Sequence, residues 1–324
     1  MINPEEIRNV VISRTDRIGD VILTLPLVSE AKRLFKNANV CFMVSEYVGD
    51  LLKGYKDIDN LVFIKDYPTT RDLIKFFKEN KTDVVINAFP RPKISFAQFR
   101  AGVKHRLGTT SRWYSFVYNN KVNQHRSRCE KNETDYNLDL LAKFVDGVSY
   151  EKKYKFEFNA EEREEVKRKL AEDGVNCRYI IVHPGSGGSA ADLPAEKFKE
   201  FITKAGSVFP DYRIILTGTD RERNLIQSIK DDKSVDLSGK FGLRELAVLI
   251  DGCSLFLSNS TGPIHIAGAL GKNIMGFYPN SKPINATRWS PPGDPRIFTP
   301  PDGTDEMNKI DISVVINKAS EILK

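Results

Sequence analysis

The feature that most constrains the fold of this chain is a rhythm of short β-rich runs and helical patterns, which occurs twice. In the first half, runs typical of buried strands occupy residues 8–13, 39–44, 60–65 and 83–87. In the second half, equivalent runs occupy residues 178–183, 213–217, 234–237, 254–258 and 273–277. Strands that alternate with helices indicate βα units and parallel sheets. The chain is therefore predicted to be an α/β protein.

Helical patterns fill the intervals between these runs. One follows Asp20, and others cover residues 133–145, 160–173, 195–208, 220–231, 243–251, 262–270 and 312–323. The proline-rich stretch 279–303 is predicted to be a loop.

The polar segment 146–160 separates the two halves. A chain of 324 residues suits two domains of roughly 150 residues each. We predict two facing Rossmann-like domains, over residues 1–155 and 156–324. Because ligands of such domains bind beyond the carboxyl ends of the strands, the site is expected in the cleft between them.

Composition favours a soluble protein of the cytoplasm. No apolar stretch approaches the ~18 residues that cross a bilayer, and the first residues lack the pattern of a secretory signal. The four cysteines, at positions 41, 129, 177 and 253, are scattered and form no C-x-x-C pair. A disulfide framework or a zinc site is therefore not expected.

One stretch, residues 91–131, is strongly basic. It contains ten Lys or Arg and a single acid, Glu130, and aromatic residues are interleaved with the cations. Such a run is either an ordinary solvated face or a surface that faces a polyanion. The polyanion could be a nucleic acid, a membrane surface or a phosphorylated or carboxylated substrate. Charge alone does not choose among them.

The loop 14–20 follows the first predicted strand. Gly19 permits close approach of the backbone to a ligand, and Asp20 stands near the start of the next helix. Asp20 could be only a helix cap. It could also be a general base, because an ionised and positioned carboxylate can take the proton of an attacking hydroxyl.

Two further loops are suited to phosphate. Residues 183–190 (HPGSGGSA) follow the first strand of the second half, and residues 258–265 (SNSTGPIH) follow a later one. Glycine- and serine-rich turns at a helix start present backbone N–H groups to anions. The first of these loops is neither a Walker A nor a G-x-G-x-x-G motif, and it could simply be flexible.

Single residues carry weaker signals. Glu222, after a central strand, is of the type that binds ribose hydroxyls, and Phe241 could stack on an adenine. Asp57 and Asp59 form a D-x-D pair, but they lie in a turn, where Asp is favoured for its own hydrogen bonds. No metal site is predicted.

Together these motifs resemble the heptosyltransferase family, glycosyltransferase family 9. The similarity rests on VVISRTDRIGDVILTLPLVSEAKRLF, on IIVHPGSGGSAADLPAEKF, and on DLSGKFGLRELAVLI followed by SLFLSNSTGPIHIAGALGKNIMGFY. It implies a GT-B fold and inverting transfer of heptose from ADP-heptose to Kdo or heptose of the lipopolysaccharide inner core. It also implies no metal, no cofactor, no nucleic acid, an anionic glycolipid acceptor and peripheral contact with the inner membrane.

The resemblance also assigns roles to residues. Asp20 is implied as the catalytic base. The residues implied to bind the donor are Ser186, Gly187, Ser189, Glu222, Phe241, Ser260, Thr261, Gly262 and His265. Those implied to bind the acceptor are Arg14, Arg17, Arg91, Lys93, Arg126 and Arg128.

The sequence departs from the usual pattern of this family at three positions. Ala191 stands where many members have Lys or Arg, Ser260 where Asp is common, and Asn132 where His is common. A Lys or Arg at position 191 would offset the charge of the leaving phosphate. We expect either that Arg17 or Arg288 takes over this function or that turnover is low. A non-catalytic nucleotide-sugar-binding protein, an epimerase and a nucleic-acid binder are the alternative functions.

Overall fold

The chain forms two series of strands and helices, one in each half. A computed structural model describes residues 3–144, 149–188, 191–301 and 303–323. It divides into two compact units, Met1–Glu157 and Phe158–Lys324.

Among its described residues, the first unit contains six strands and six α-helices. Its strands are β1 (Asn9–Ser13), β2 (Asn39–Val44), β3 (Asn60–Phe63), β4 (Val84–Asn87), β5 (His105–Thr109) and β6 (Asn120–Val122). Its helices are α1 (Ile18–Ile22), α2 (Leu25–Leu34), α3 (Gly49–Leu52), α4 (Thr70–Glu79), α5 (Pro92–Ala101) and α6 (Glu133–Leu138).

The second unit repeats the plan. Its strands are β7 (Arg178–His183), β8 (Tyr212–Leu216), β9 (Ser234–Asp236), β10 (Leu255–Asn259), β11 (Ile274–Phe277) and β12 (Arg296–Phe298). Its helices are α7 (Ala160–Glu172), α8 (Ala195–Val208), α9 (Arg223–Ile229), α10 (Leu243–Gly252), α11 (Gly262–Ala269), α12 (Ala286–Trp289) and α13 (Ile312–Leu323).

Both sheets are parallel and have the same topology. The first has the order β3-β2-β1-β4-β5-β6 and the second β12-β11-β10-β7-β8-β9. Each is the doubly wound order of a Rossmann fold, and it reverses between β1 and β4 in one unit and between β7 and β10 in the other. The predicted α/β class is confirmed, and the three predicted loops follow strands at these reversal points.

The central strands are apolar because helices cover both faces of a parallel sheet. All described side chains of β10 and all but Asn9 of β1 are buried. Helix starts follow local capping rules: Thr69 with Asp72, and Asn159 with Glu162, form reciprocal capping boxes at α4 and α7.

Several elements differ from the sequence prediction. The helix predicted over 133–145 ends at Leu138 and continues as a 3-10 segment, Asp139–Lys143. Leu140 and Leu141 of this segment are both buried. The stretch 279–303 is not all loop, because it contains α12 and the edge strand β12.

The four elements inside or next to the basic stretch were not predicted either. These are α4, α5, β5 and β6. The strands among them are short and polar, with sequences HRLGT and NKV, so no apolar alternation marks them. Within the described ranges, no helix is long and apolar enough to span a bilayer.

Candidate functional site

The loop after β1 places Arg14 at the reversal point of the first sheet. Its guanidinium donates through Nη1 to the carbonyl oxygen of Ala88 (3.3 Å), directly after β4. The side chain is only 2% exposed. Arg14 therefore links the two strand ends between which Rossmann folds bind their ligands.

Three carboxylates surround this guanidinium. Nε donates to Asp16 (2.8 Å), Nη2 to Asp20, and Nη1 to Glu133 (3.0 Å). Burial lowers the pKa of Arg14, but the charges of Asp20, Asp16 and Glu133 raise it above its ordinary value overall. Arg14 is thus a fixed positive charge inside the unit. The guanidinium is thus engaged by groups of its own unit, and its contact with the acceptor stays a prediction.

Glu133 is fully buried at the first position of α6 and also accepts from Arg126. Asn137, one turn later, accepts from Arg14 (3.3 Å) and donates to the carbonyl of Leu23 (3.1 Å). Helix α6 is therefore fastened to the segment that carries the candidate base.

Asp20 is the third residue of α1, a helix whose N-cap is Arg17. The interpretation of Asp20 as a helix cap is therefore not supported, and its carboxylate instead accepts from Arg14. The side chain remains 13% exposed. A carboxylate fixed on one side by a guanidinium and open to solvent on the other has the geometry of a general base.

Asp16 shares the same guanidinium. Its pKa is raised to about 7, because burial and the nearby Asp20 charge raise it more than the Arg14 charge lowers it. The backbone oxygen of Asp16 also accepts from the Tyr47 hydroxyl (2.7 Å). The Asp16 carboxyl of the folded protein is therefore protonated below about pH 7.

We expect Asp16→Asn to change how stability depends on pH. In the unfolded chain Asp ionises near pH 3.9, so between about pH 4 and pH 7 the wild-type folded state binds the extra proton. The wild type therefore loses stability relative to Asp16→Asn as pH rises through that window, by at most about 1.4 kcal/mol per pH unit. Urea unfolding of both proteins near pH 5 and near pH 8 measures this, and a constant difference would contradict it.

The remaining predicted acceptor residues divide into two groups. Arg17, Arg91 and Arg128 are exposed, and the Arg91 guanidinium lies 4.4 Å from the centre of the Phe89 ring. Arg126 turns inward to Glu133 and to Gln124, and Lys93 donates to the carbonyl of Tyr67. Arg126 and Lys93 thus make contacts within their own unit, which fits a structural role better than the predicted contact with the acceptor.

In the second unit, the loop after β7 is shaped by its own polar groups. The Ser186 hydroxyl donates to Asp192 (2.8 Å) and accepts from the Gly188 amide (3.2 Å). Gly187 and Gly188 both have positive φ, +60° and +74°, where glycine is favoured. Ser186 is buried and orders the loop, whereas Gly187 is exposed. Ser189 lies outside the described residues.

The predicted ribose ligand, Glu222, lies against this loop. Its Oε2 accepts from the backbone and the hydroxyl of Thr219 (2.7 and 2.9 Å). Its Oε1 occupies the space in which a Cβ on Gly185 would stand. The structure therefore brings Glu222 and the glycine-rich loop together at one edge of the sheet.

The loop after β10 joins the same edge. Asn259 donates to the carbonyl of Pro184 (2.7 Å) and accepts from the Leu193 amide (2.9 Å). Helix α11 then starts after Thr261, which makes no side-chain cap bond. Thr261 and Gly262 are partly exposed, whereas Pro263 and Ile264 are buried. The start of α11, where backbone N–H groups have no partner within the helix, is therefore accessible at these two residues.

His265 is buried in α11 and neutral, because burial lowers its pKa to about 3. Its Nδ1 has no hydrogen-bond partner within the described part of the chain. A buried polar atom without a partner is unusual in a native fold. His265 is thus suited to accept or donate one hydrogen bond to a ligand group.

The other two predicted donor residues are less diagnostic. Ser260 is buried and bonds the Tyr278 hydroxyl, whose pKa is raised by burial and partly lowered by that bond. Phe241 is half-buried beside Lys169 of α7, with the ammonium 5.7 Å from the ring centre. The Gly239 amide, in the loop before Phe241, donates to the carbonyl oxygen of Gly218, in the loop before Glu222 (2.9 Å).

The D-x-D residues are occupied by other partners. Asp57 accepts from Ser29 (2.5 Å) and Lys155, and Asp59 accepts from Lys32 and from the Val40 amide. Over residues 3–144, 149–188, 191–301 and 303–323, no three His, Cys, Asp or Glu side chains gather as metal ligands.

Sequence reasoning missed three residues that organise the two sites: Glu133, Asn137 and Asn259. Each is a polar residue with a partner far away in sequence, from 66 residues for Asn259–Leu193 to 123 for Arg14–Asn137. Asn259 alone had a usable signal, because it ends an apolar strand directly before a glycine–proline turn.

Two Rossmann-like units with parallel sheets are the two-domain α/β fold of GT-B proteins. The model of glycosyltransferase family 9 (heptosyltransferase) matches residues 70–294. The chain belongs to this family.

Known proteins resemble it over nearly its whole length. A Haemophilus influenzae protein to which glycosyltransferase activity is ascribed is 27% identical, over 97% of this chain and 95% of its own. Lipopolysaccharide heptosyltransferase 3 of Escherichia coli is 22% identical over 84% of each chain. The solved structure of E. coli ADP-heptose LPS heptosyltransferase II has the same fold, with a TM-score of 0.80 and 15% identity over 98% of each chain.

Proposed function

We propose that this glycosyltransferase moves heptose from ADP-heptose to Kdo or heptose of the lipopolysaccharide inner core, with inversion and without a metal. The observation that carries the proposal is the Asp20 carboxylate held by buried Arg14 at the reversal point of the first sheet. An E. coli relative of the same fold is named for ADP-heptose and LPS. In this proposal the first unit holds the acceptor, the second holds the donor, and the protein works in the cytoplasm at the inner membrane.

The proposed reaction is a single displacement. Asp20 takes the proton of the acceptor hydroxyl, and the hydroxyl oxygen forms a bond to the anomeric carbon of the heptose. The bond from that carbon to the diphosphate oxygen breaks, and its electron pair leaves with ADP. Preorganised N–H groups in the first turn of α11 and in the loop around Gly187 would stabilise the developing charge.

Three features support the donor side. The loop after β7 and the first turn of α11 present backbone N–H groups at one sheet edge, as anion sites in α/β folds do. Glu222 lies against that loop and has one carboxylate oxygen left for a ribose hydroxyl. The unpaired Nδ1 of His265 is suited to a sugar hydroxyl.

The alternative is a protein that binds a different nucleotide sugar, with or without turnover. The observation that favours it is Ala191, which is exposed where many family members carry Lys or Arg. A different sugar would also fit the change from Asp to Ser at position 260.

Donor specificity and metal dependence are tested together by measuring ADP release. We expect ADP-heptose with a Kdo-terminated core acceptor to give ADP at the same rate in EDTA as in Mg²⁺, because amides rather than a cation neutralise the diphosphate. ADP-glucose and UDP-N-acetylglucosamine are the control donors. Loss of activity in EDTA with rescue by Mg²⁺ or Mn²⁺ would refute metal independence, and preference for a control donor would favour the alternative.

Gly185→Ala should weaken donor binding by displacing Glu222. The added Cβ cannot coexist with the present Oε1 position of Glu222. We expect roughly tenfold weaker binding of the donor, equivalent to about 1.4 kcal/mol, and a similar loss in Glu222→Ala. Because both changes act through one carboxylate, the double variant should bind no worse than either single variant.

Calorimetry with ADP-heptose measures these affinities. Gly242→Ala is the matched control, since its added Cβ would meet only the Glu245 carboxylate, at an ordinary 3.8 Å. Additive losses in the double variant would show that Gly185 and Glu222 contribute independently.

A further inference from the structure

The first unit carries a cluster of exposed aromatic side chains that the proposed reaction does not use. Trp113 is 76% exposed and Phe116 is 61% exposed. Both rings pack against Phe96 of α5, with centroid distances of 6.0 and 6.1 Å. Large apolar side chains grouped in this way on a protein surface usually mark an interaction site.

Buried residues support the cluster. Tyr114, Val117 and Tyr118 are buried beneath it and form a small apolar core of their own with Phe96. The Tyr114 hydroxyl donates to the carbonyl of Pro90 (2.9 Å), and the Tyr118 hydroxyl pairs with Ser95 (2.6 Å). The exposed rings are therefore held in place, and their exposure is a property of the fold.

The segment that carries the cluster has charges of one sign. Residues 84–129 contain nine Lys or Arg and neither Asp nor Glu. Arg112 and Arg91 lie close enough to Tyr114 to lower the pKa of its hydroxyl, against the rise that burial causes. Nearby, the Arg106 guanidinium covers Phe99, another exposed ring, at 5.3 Å and bonds the carbonyl of Val117.

We propose that Trp113 and Phe116 insert into the headgroup region of an anionic lipid bilayer while the surrounding arginines contact the lipid phosphates. Tryptophan is favoured at the interface between lipid and water, and basic residues are attracted to anionic lipid surfaces. The strength of such binding grows with the apolar area buried in the interface and with the attraction to anionic lipids, and the cluster supplies both. This docking site deepens the membrane contact of the proposed function, and its test needs neither donor nor acceptor, so it can fail or succeed independently of the transfer reaction.

Charge also argues against a second copy of the chain as the occupant. A twofold dimer through this cluster would place the same patch against itself, so Arg91 and Arg112 of one copy would lie close to the same arginines of the other. A nucleic acid would satisfy the charges, and stacking of bases on the rings would be its signature. The test therefore includes both.

Tryptophan fluorescence of the full chain tests the proposal. The sequence has two tryptophans, Trp113 and Trp289, so Trp289→Phe leaves Trp113 as the single probe. With vesicles of phosphatidylglycerol and phosphatidylcholine we expect a blue shift and quenching by lipids brominated in the upper acyl chain. Vesicles of phosphatidylcholine alone should produce much less of either.

Co-sedimentation with the same vesicles tests which residues contribute to lipid binding. Trp113→Ala with Phe116→Ala should bind at least roughly tenfold more weakly at an unchanged melting temperature, and Arg112→Gln should weaken binding and reduce its salt dependence. Val208→Ala with Val314→Ala removes two exposed apolar side chains of the second unit and should bind like wild type.

Unchanged binding in the aromatic double variant, or no bromine quenching of Trp113, would overturn the proposal. A fluorescence shift of Trp113 with single-stranded oligonucleotide but not with vesicles would assign the cluster to nucleic acid and overturn the proposal. A shift with rising protein concentration alone would assign it to self-association and overturn the proposal equally.

Discussion

Asp20→Asn is expected to lower turnover by roughly a hundredfold or more, the usual contribution of a positioned general base. Asparagine keeps an oxygen that can accept from Arg14 but cannot take a proton at neutral pH. Donor affinity should therefore change little, whereas the melting temperature should fall somewhat, because Arg14 loses one of its three carboxylate charges. The measurements are kcat with saturating substrates, donor affinity by calorimetry and thermal unfolding.

Asp50→Asn provides the matched control, because Asp50 is an exposed acid in the first turn of another short helix, α3. It should turn over like wild type. Near-normal turnover in Asp20→Asn would remove Asp20 from the mechanism and leave the fold and family unaffected.

Glu133→Ala is expected to have the largest effect on stability, a loss of about 3–5 kcal/mol of unfolding free energy. The substitution removes the carboxylate shared by Arg14 and Arg126 and leaves two cations close together inside the unit. Breaking a buried ion network by removing one partner is costly because the remaining charges cannot be hydrated. Urea unfolding near pH 7 measures the loss.

The control for this prediction is Glu172→Ala, which removes the same charge from an exposed pair with Arg168. Exposed pairs contribute about 0–1 kcal/mol, so this variant should be nearly as stable as wild type. Glu133→Gln keeps the hydrogen-bonding shape and should fall between the two. Equal stability of Glu133→Ala and Glu172→Ala would show that the network around Arg14 is not a significant source of stability.

The fold and the three loops could be predicted because their signals are local. Apolar runs such as IIV in β7 and LFL in β10, each followed by glycine, proline or asparagine, mark strand ends in the sequence itself. In a parallel sheet those ends lie on one edge, so the loops around Asp20, Gly187 and Gly262 could be assigned to candidate sites without coordinates.

The charge network could not be predicted, because burial is decided by residues distant in sequence. Arg14 and Arg126 look like surface cations in the sequence, yet both turn inward to Glu133. Trp113 and Phe116 look like core residues, yet they are exposed. Composition rules place charges outside and large apolar residues inside, and these four residues reverse them.

The structure of the product that the wild-type protein forms from ADP-heptose and a Kdo-terminated core acceptor decides whether the proposed transfer occurs. We expect an acceptor heavier by one heptose, free ADP in equal amount, and an anomeric configuration opposite to that of the donor. Mass spectrometry and NMR of the purified product determine all three. Retained configuration, free heptose in place of a glycosylated acceptor, or an isomerised nucleotide sugar would contradict the proposed transfer.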